Sequence, residues 1–334
     1  VTERTPLRVG VLVFDDFVLS NLAGPIDVLR IAQRIAELRD PRVGPLFETC
    51  VFAVDPTLRP CCSTGLSLAG VAAPTDAVDI VLVPGIMHSS PKGLIDRVLA
   101  MRGEQELLRG LAARGVRIAA TCSGTFLLAA SGLLDGHRAT TSWWLANAFQ
   151  RQFPRVNLQA DAMVIDDGAV LTTGAATAVF DLVLKLVAQV AGEAVAQQTA
   201  RMMNVDPERQ SQAPYVSQAL MQRPRSSITE RADALINREL HRELPVGALA
   251  EALNTSERSL LRHFRSHYGV TPLEHIQHLR VERAKALLET TQLSFEEVVG
   301  RCGYSDVSSF RKLFKRATTL TPADYRERFR LRAS

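Results

Sequence analysis

The chain has 334 residues, of which 46% are hydrophobic and 22% charged, a balance that supplies a large core and excludes wholesale disorder. At roughly 150 residues per domain, this length suggests two domains. The net charge of +4 is uneven: residues 225–334 hold 19 Lys and Arg against 14 Asp and Glu, so the last third is the basic part and points to a polyanionic partner.

In chain order, residues 8–14, 49–54, 79–84, 116–120 and, more weakly, 169–173 are short β-rich runs. Between them lie amphipathic stretches at 25–38, 104–114 and 126–131, and residues 176–203 read as one or two helices. This alternation predicts βαβ units: an α/β N-terminal domain with a mostly parallel, flavodoxin-like sheet. Residues 204–227 are polar and carry Pro207, Pro214 and Pro224, the signature of a linker, with a short helix expected at 215–221. After Ile228 the pattern is helical throughout, which predicts an all-α C-terminal domain.

No stretch approaches the roughly 18 apolar residues of a membrane span, and the first residues lack the apolar run of a signal peptide. The cysteines (Cys50, Cys61, Cys62, Cys122 and Cys302) are odd in number and have no zinc-site or disulfide spacing. A cytoplasmic protein with no membrane partner, no metal and no cofactor is the expectation.

The helical third partly repeats itself at an offset of 50 residues. Phe264 falls on Phe314, Leu260 on Phe310, Arg262 on Lys312, and Thr271-Pro272 on Thr321-Pro322. Ser256 falls on Asp306, both good N-cap residues. Each copy reads as a helix, a tight turn, a second helix, then a new helix opened by Thr-Pro. This is the pattern of two helix-turn-helix units, whose second helices enter the major groove of double-stranded DNA. Leu260 and Phe264 form the core stripe of the first such helix; Arg258, Leu261, Arg262 and Arg265 are the candidate DNA-reading residues. In the second, Phe310, Leu313 and Phe314 face inward, and Val307, Ser308, Arg311 and Lys312 are the candidates.

Residues 228–330 resemble the AraC/XylS-type DNA-binding domain, most specifically from Gly303-Tyr304-Ser305-Asp306 through Thr321-Pro322 to Tyr325-Arg326. The resemblance implies a long helix at 273–289 joining the two units. Thr319 departs from it, since the family has glycine there and Gly269 stands in the first copy. A β-branched residue is costly at positive φ, so a differently built second turn is expected.

Thr121-Cys122-Ser123-Gly124 lies between a strand and an apolar helix. Such an elbow lifts a nucleophile-type residue to the C-terminal edge of the sheet and aims it at a helix N-terminus, which lowers a thiol pKa. Pro84-Gly85, the segments 130–136 and 139–141, Asp181 and Ala23-Gly24-Pro25 extend the pattern. Residues 7–203 resemble the PfpI-like, glutamine-amidotransferase-type domain, and the whole chain resembles GlxA-type regulators of the AraC/XylS family. In catalytic relatives a histidine follows in a Thr-Thr-His-Trp context; here that position is Ser142, which has no useful basicity. Asn21 stands where an acidic residue is common. A pocket that binds a small molecule without turnover is therefore expected. Its walls would be Asn21, Gly24, Pro25, Gly85, Ile86, Cys122, Ser123, Ser142, Trp143 and Gly174. A cysteine-dependent amidase or hydrolase, or a redox sensor, fused to a DNA-binding domain are the alternatives. The resemblance also implies a small-molecule effector of the amine or amino-acid-derivative class and a homodimer formed through the α/β domain. An activator would in addition contact RNA polymerase.

Overall fold

The computed structural model describes residues 5–57, 59–75, 77–206, 209–216 and 227–330, and divides after Gln212 into two units. In the first unit β1 (Leu7–Leu12), α1 (Ser20–Arg39), β2 (Phe47–Phe52) and β3 (Ile80–Val83) are followed by α2 (Pro91–Ala100) and α3 (Arg102–Ala113). Next come β4 (Arg117–Thr121), α4 (Gly124–Ala130), β5 (Arg138–Ala139), α5 (Ala146–Gln152) and β6 (Asn157–Leu158). β7 (Val164–Asp167), β8 (Val170–Thr173), α6 (Ala178–Ala191) and α7 (Glu193–Met202) complete it.

The main sheet runs β2-β1-β3-β4-β8-β7, parallel except for the terminal β7–β8 pair. Without β7 this is the flavodoxin-like order, with the switch point between β1 and β3. β3 and β8 are buried along their whole length, and β1 and β4 nearly so. That is why they read as continuous apolar runs rather than alternating ones. β1 turns into α1 beside the ends of β3 and β4, so the loops after these strands share one edge.

Two features differ from the sequence expectation. α1 opens at Ser20, so Pro25 sits inside the helix rather than at its start. The earlier turn is held by Asn21, whose buried side chain is bonded on three sides. β7 has no apolar alternation of its own, and forms by folding back on β8 around Gly168, at φ +80°.

The second unit contains α8 (Ser227–Glu239), α9 (Val246–Ala252), α10 (Glu257–Tyr268) and α11 (Pro272–Thr290). α12 (Phe295–Arg301), α13 (Val307–Thr318) and α14 (Pro322–Phe329) follow. Among the described residues it has two apolar cores. One joins α8, α9 and α10 to Ile276 of α11; the other joins α12, α13 and α14 to Val281, Ala284 and Leu288 of the same helix. Most of the short helix expected at 215–221 lies outside the described residues.

The helix starts are closed by side chains. Ser256 accepts from the Ser259 N–H, and Asp306 accepts from the Ser308 and Ser309 N–H groups. Thr271 with Glu274, and Ser294 with Glu297, form reciprocal capping boxes. The turn after α13 is not built differently from the one after α10. Thr319 takes φ +63°, ψ −5°, almost the angles of Gly269 at +73° and −1°. The threonine accepts the left-handed conformation because its N–H still closes the helix on the Lys315 carbonyl, and its hydroxyl bonds the Thr318 carbonyl at 2.6 Å.

Candidate functional site

Cys122 occupies the turn between β4 and α4 with φ +55°, a strained angle for a residue with a Cβ. Its N–H bonds the Thr173 carbonyl, and its carbonyl accepts from the Thr141 hydroxyl at 2.9 Å. The sulfur lies 2.8 Å from the Ser142 Oγ. Burial pushes the thiol pKa up, and the hydrogen bonds from Ser142 and Ser123 offset only part of this. The thiol-lowering effect expected of the following helix does not prevail here; α4 is short, and the sulfur is buried.

Asn21 ties the strand ends together. Its Oδ1 accepts from the Gly85 N–H and the Thr121 hydroxyl, both at 3.1 Å, and its Nδ2 donates to the Ala176 carbonyl at 2.9 Å. The Ser123 hydroxyl accepts from the Ile86 N–H and donates to its carbonyl, both at 2.8 Å. Gly85 leaves room for both neighbours: a Cβ there would lie 3.1 Å from the Asn21 Oδ1 and 3.3 Å from the Cys122 Cβ. Asn21, Gly85, Ile86, Cys122, Ser123 and Ser142 therefore form one bonded cluster at the switch-point edge.

The remaining residues of the expected pocket are placed otherwise. The open face of Gly24 meets Phe180 of α6, and Pro25 is buried inside α1. Trp143 is buried and packs edge-on against Trp144, with ring centroids 5.2 Å apart. Gly174 lies under the side chain of Gln212. Neither histidine of the unit bonds to the sulfur: the His88 Nδ1 is 2.9 Å from the Ile86 carbonyl, and the His137 Nδ1 is 2.9 Å from Asp167.

Sequence reasoning missed Gln212, which reads there only as linker polarity. It also missed the role of Asp181, whose carboxylate is largely shielded from solvent and paired with Arg209 at 2.6 Å. Burial raises the Asp181 carboxyl to about 6; Arg209 opposes this, and Asp206 adds to it.

In the second unit, Leu260, Phe264, Phe310, Leu313 and Phe314 are buried. Arg258, Arg262 and Arg265 of α10 and Ser308, Arg311 and Lys312 of α13 are exposed, while Leu261 and Val307 are half-buried. The two helices thus present cations at equivalent positions of the repeat. Behind α10 lies a buried network with no sequence signal: Asp233 accepts from the Tyr268 hydroxyl at 2.7 Å and meets the His275 Nε2 at 2.9 Å. It fixes α8, α10 and α11 against one another.

Residues 7–189 match the DJ-1/PfpI family, and residues 249–328 match a helix-turn-helix domain. The HTH-type transcriptional regulator GbdR of Pseudomonas aeruginosa is 28% identical over 97% of this chain and 85% of its own length. The HTH-type transcriptional regulator GlxA of Rhizobium meliloti is 28% identical over 98% of this chain and 97% of its own. Isonitrile hydratase of Pseudomonas putida is 30% identical over 69% of this chain and 98% of its own length. The relatives matched along nearly the whole chain are regulators, and the enzyme is matched over a smaller part. Among the described residues no helix is long and apolar enough to cross a membrane.

Proposed function

Because the chain belongs to the DJ-1/PfpI family and joins that domain to an AraC/XylS-type helix-turn-helix domain, as in GlxA-like regulators, we propose that it is a transcription factor whose α/β domain senses a small molecule without transforming it. DNA binding belongs to the second unit. Its reading surface consists of Arg258, Leu261, Arg262 and Arg265 on α10 and Val307, Ser308, Arg311 and Lys312 on α13. The two helices act as the recognition helices of two helix-turn-helix units. The observation that carries this reading is the recurrence of exposed cations at the same offset on two capped helices, each backed by its own core. Such helices fit successive major grooves, roughly 34 Å apart on one face of the duplex.

The chemistry of the elbow favours binding over turnover. A cysteine hydrolase needs a thiolate and a proton donor for its leaving group. Cys122 has a hydroxyl as its neighbour, and burial favours its protonated form. The Asn21 cluster instead suits a wall for a bound effector at the strand ends, with Cys122 and Ser142 as polar contacts. A homodimer through the α/β domain, and an effector of the amine or amino-acid class, complete the reading. The test is footprinting with the purified protein and alanine variants of Arg258, Arg262, Arg311 and Lys312. The expected outcome is weakened protection at discrete bases. Unchanged affinity and footprint in all four would remove the assignment.

A further inference from the structure

Gln212 is the last residue of the α/β unit and is almost wholly buried. Its Oε1 accepts from the Ala175 N–H at 2.9 Å. Its Nε2 faces the carbonyls of Thr141, Ala160 and Ala162 at 2.9, 3.0 and 3.1 Å, and the Thr140 hydroxyl at 3.3 Å. One N–H donor on one side, and three carbonyls and a hydroxyl on the other, are the complement of a primary carboxamide, with its accepting oxygen and donating NH2.

The floor of the slot is Gly174. A Cβ there would lie 2.2–2.5 Å from the carboxamide atoms, and the glycine is not in the left-handed region, so space rather than backbone angle calls for it. The slot shares its walls with the elbow cluster. Thr141 bonds the Cys122 carbonyl and precedes Ser142, while Ala175 precedes the residue that holds Asn21.

The chain reaches the slot as a docked strap. The Gln210 carbonyl accepts from the Met163 N–H, and the Gln212 N–H bonds the Asp161 carbonyl at 2.7 Å. Arg209 is held by Asp181 and Thr177. Ala213 begins the next unit.

We propose that this slot is a binding site for a primary carboxamide, filled in this state by the chain's own Gln212. An effector carrying that group takes the place of Gln212 and frees residues 209–212. That this release reaches DNA binding rests on the regulator reading above; the slot itself does not.

The test uses the full chain. In Gln212→Ala, trypsin should cut after Arg209 about tenfold faster than in wild type, because cleavage follows the open population. Acetamide, which supplies the missing carboxamide, should raise the melting temperature of this variant in a saturable way without slowing the cut, since it does not retether the strap. N,N-dimethylacetamide, which has no N–H, should leave the melting temperature of this variant unchanged. Wild-type cleavage at Arg209 should quicken with propionamide. Wild-type cleavage rates in Gln212→Ala, or equal effects of the two acetamides, would overturn the proposal. Should the variant not fold, the propionamide arm decides alone: unchanged cleavage overturns it. A gel shift of the same wild-type protein separates the two readings. Loss of DNA binding removes the regulator and leaves the slot, whereas failed amide responses with intact DNA binding remove the slot.

Discussion

A thiol attacks only as the thiolate, and at Cys122 burial outweighs the hydrogen bonds that would favour it. Alkylation of Cys122 in the native protein should therefore be slow at neutral pH and accelerate on unfolding, as mass spectrometry of iodoacetamide-treated samples can follow. Rapid native labelling would restore the redox-sensor alternative. Thr319 occupies the left-handed region that Gly269 occupies in the other copy, so Thr319→Gly should stabilise the protein by about 1 kcal/mol despite losing one hydroxyl contact. A thermal melt that falls would show that the hydroxyl bond outweighs the strain. The folded pKa of Asp181, about 6, lies above its unfolded value. Its contribution to stability is therefore fully present below the unfolded pKa and is lost as pH rises through about 6. Arg209 offsets that loss only while the carboxyl is charged. Arg209→Met should thus destabilise the protein by about 3 kcal/mol above this range and little well below it, as denaturant unfolding at the two pH values measures. Equal losses at both ends would place the effect in packing rather than charge.

At the scale of elements, the second unit was the more legible. Its cues are local: Ser256, Asp306, Thr271 and Thr321 cap helices through bonds spanning two or three residues, and such bonds can be read from spacing. The buried strands of the first unit were legible for a related reason, since a run such as 80–83 is apolar throughout. β7 was not, because it has little burial of its own and depends on β8. The elbow at Cys122 could be read, but its surroundings could not. The bonds from Asn21 to Ala176 and from Gln212 to Thr141 join residues far apart in sequence, and polar residues that satisfy one another in a core look like loop residues in a string. If both α10 and α13 read DNA from one chain, alanine at Arg262 or at Lys312 should each cost about 1–3 kcal/mol and relax specificity at a different base. Because the second helix binds intramolecularly once the first is seated, loss of either should also lower affinity for the whole site. Competition binding against base-substituted operators measures both effects. Relaxation at the same base from both variants would contradict two separate reading heads.

At the scale of the whole molecule, a near-neutral domain is joined to a basic one, so most of the attraction to DNA originates after residue 224. If both α10 and α13 read DNA, as proposed, a single such unit would span about two major grooves, and its contacts with phosphate would weaken steeply with salt. On the proposed reading, pairing through the α/β domain would add a second DNA-binding unit at high effective concentration, which raises affinity without new contacts to base edges. Two chains per operator are therefore expected, with a footprint about twice that of one unit. The Arg262→Ala variant should keep this stoichiometry while losing affinity, since its change lies on α10, outside the α/β domain. Sedimentation of the protein with labelled operator, across a salt series, tests this directly. One chain per operator at every concentration, with a footprint of only two grooves, would mean that the two recognition helices of a single chain suffice and that the α/β domain does not pair on DNA.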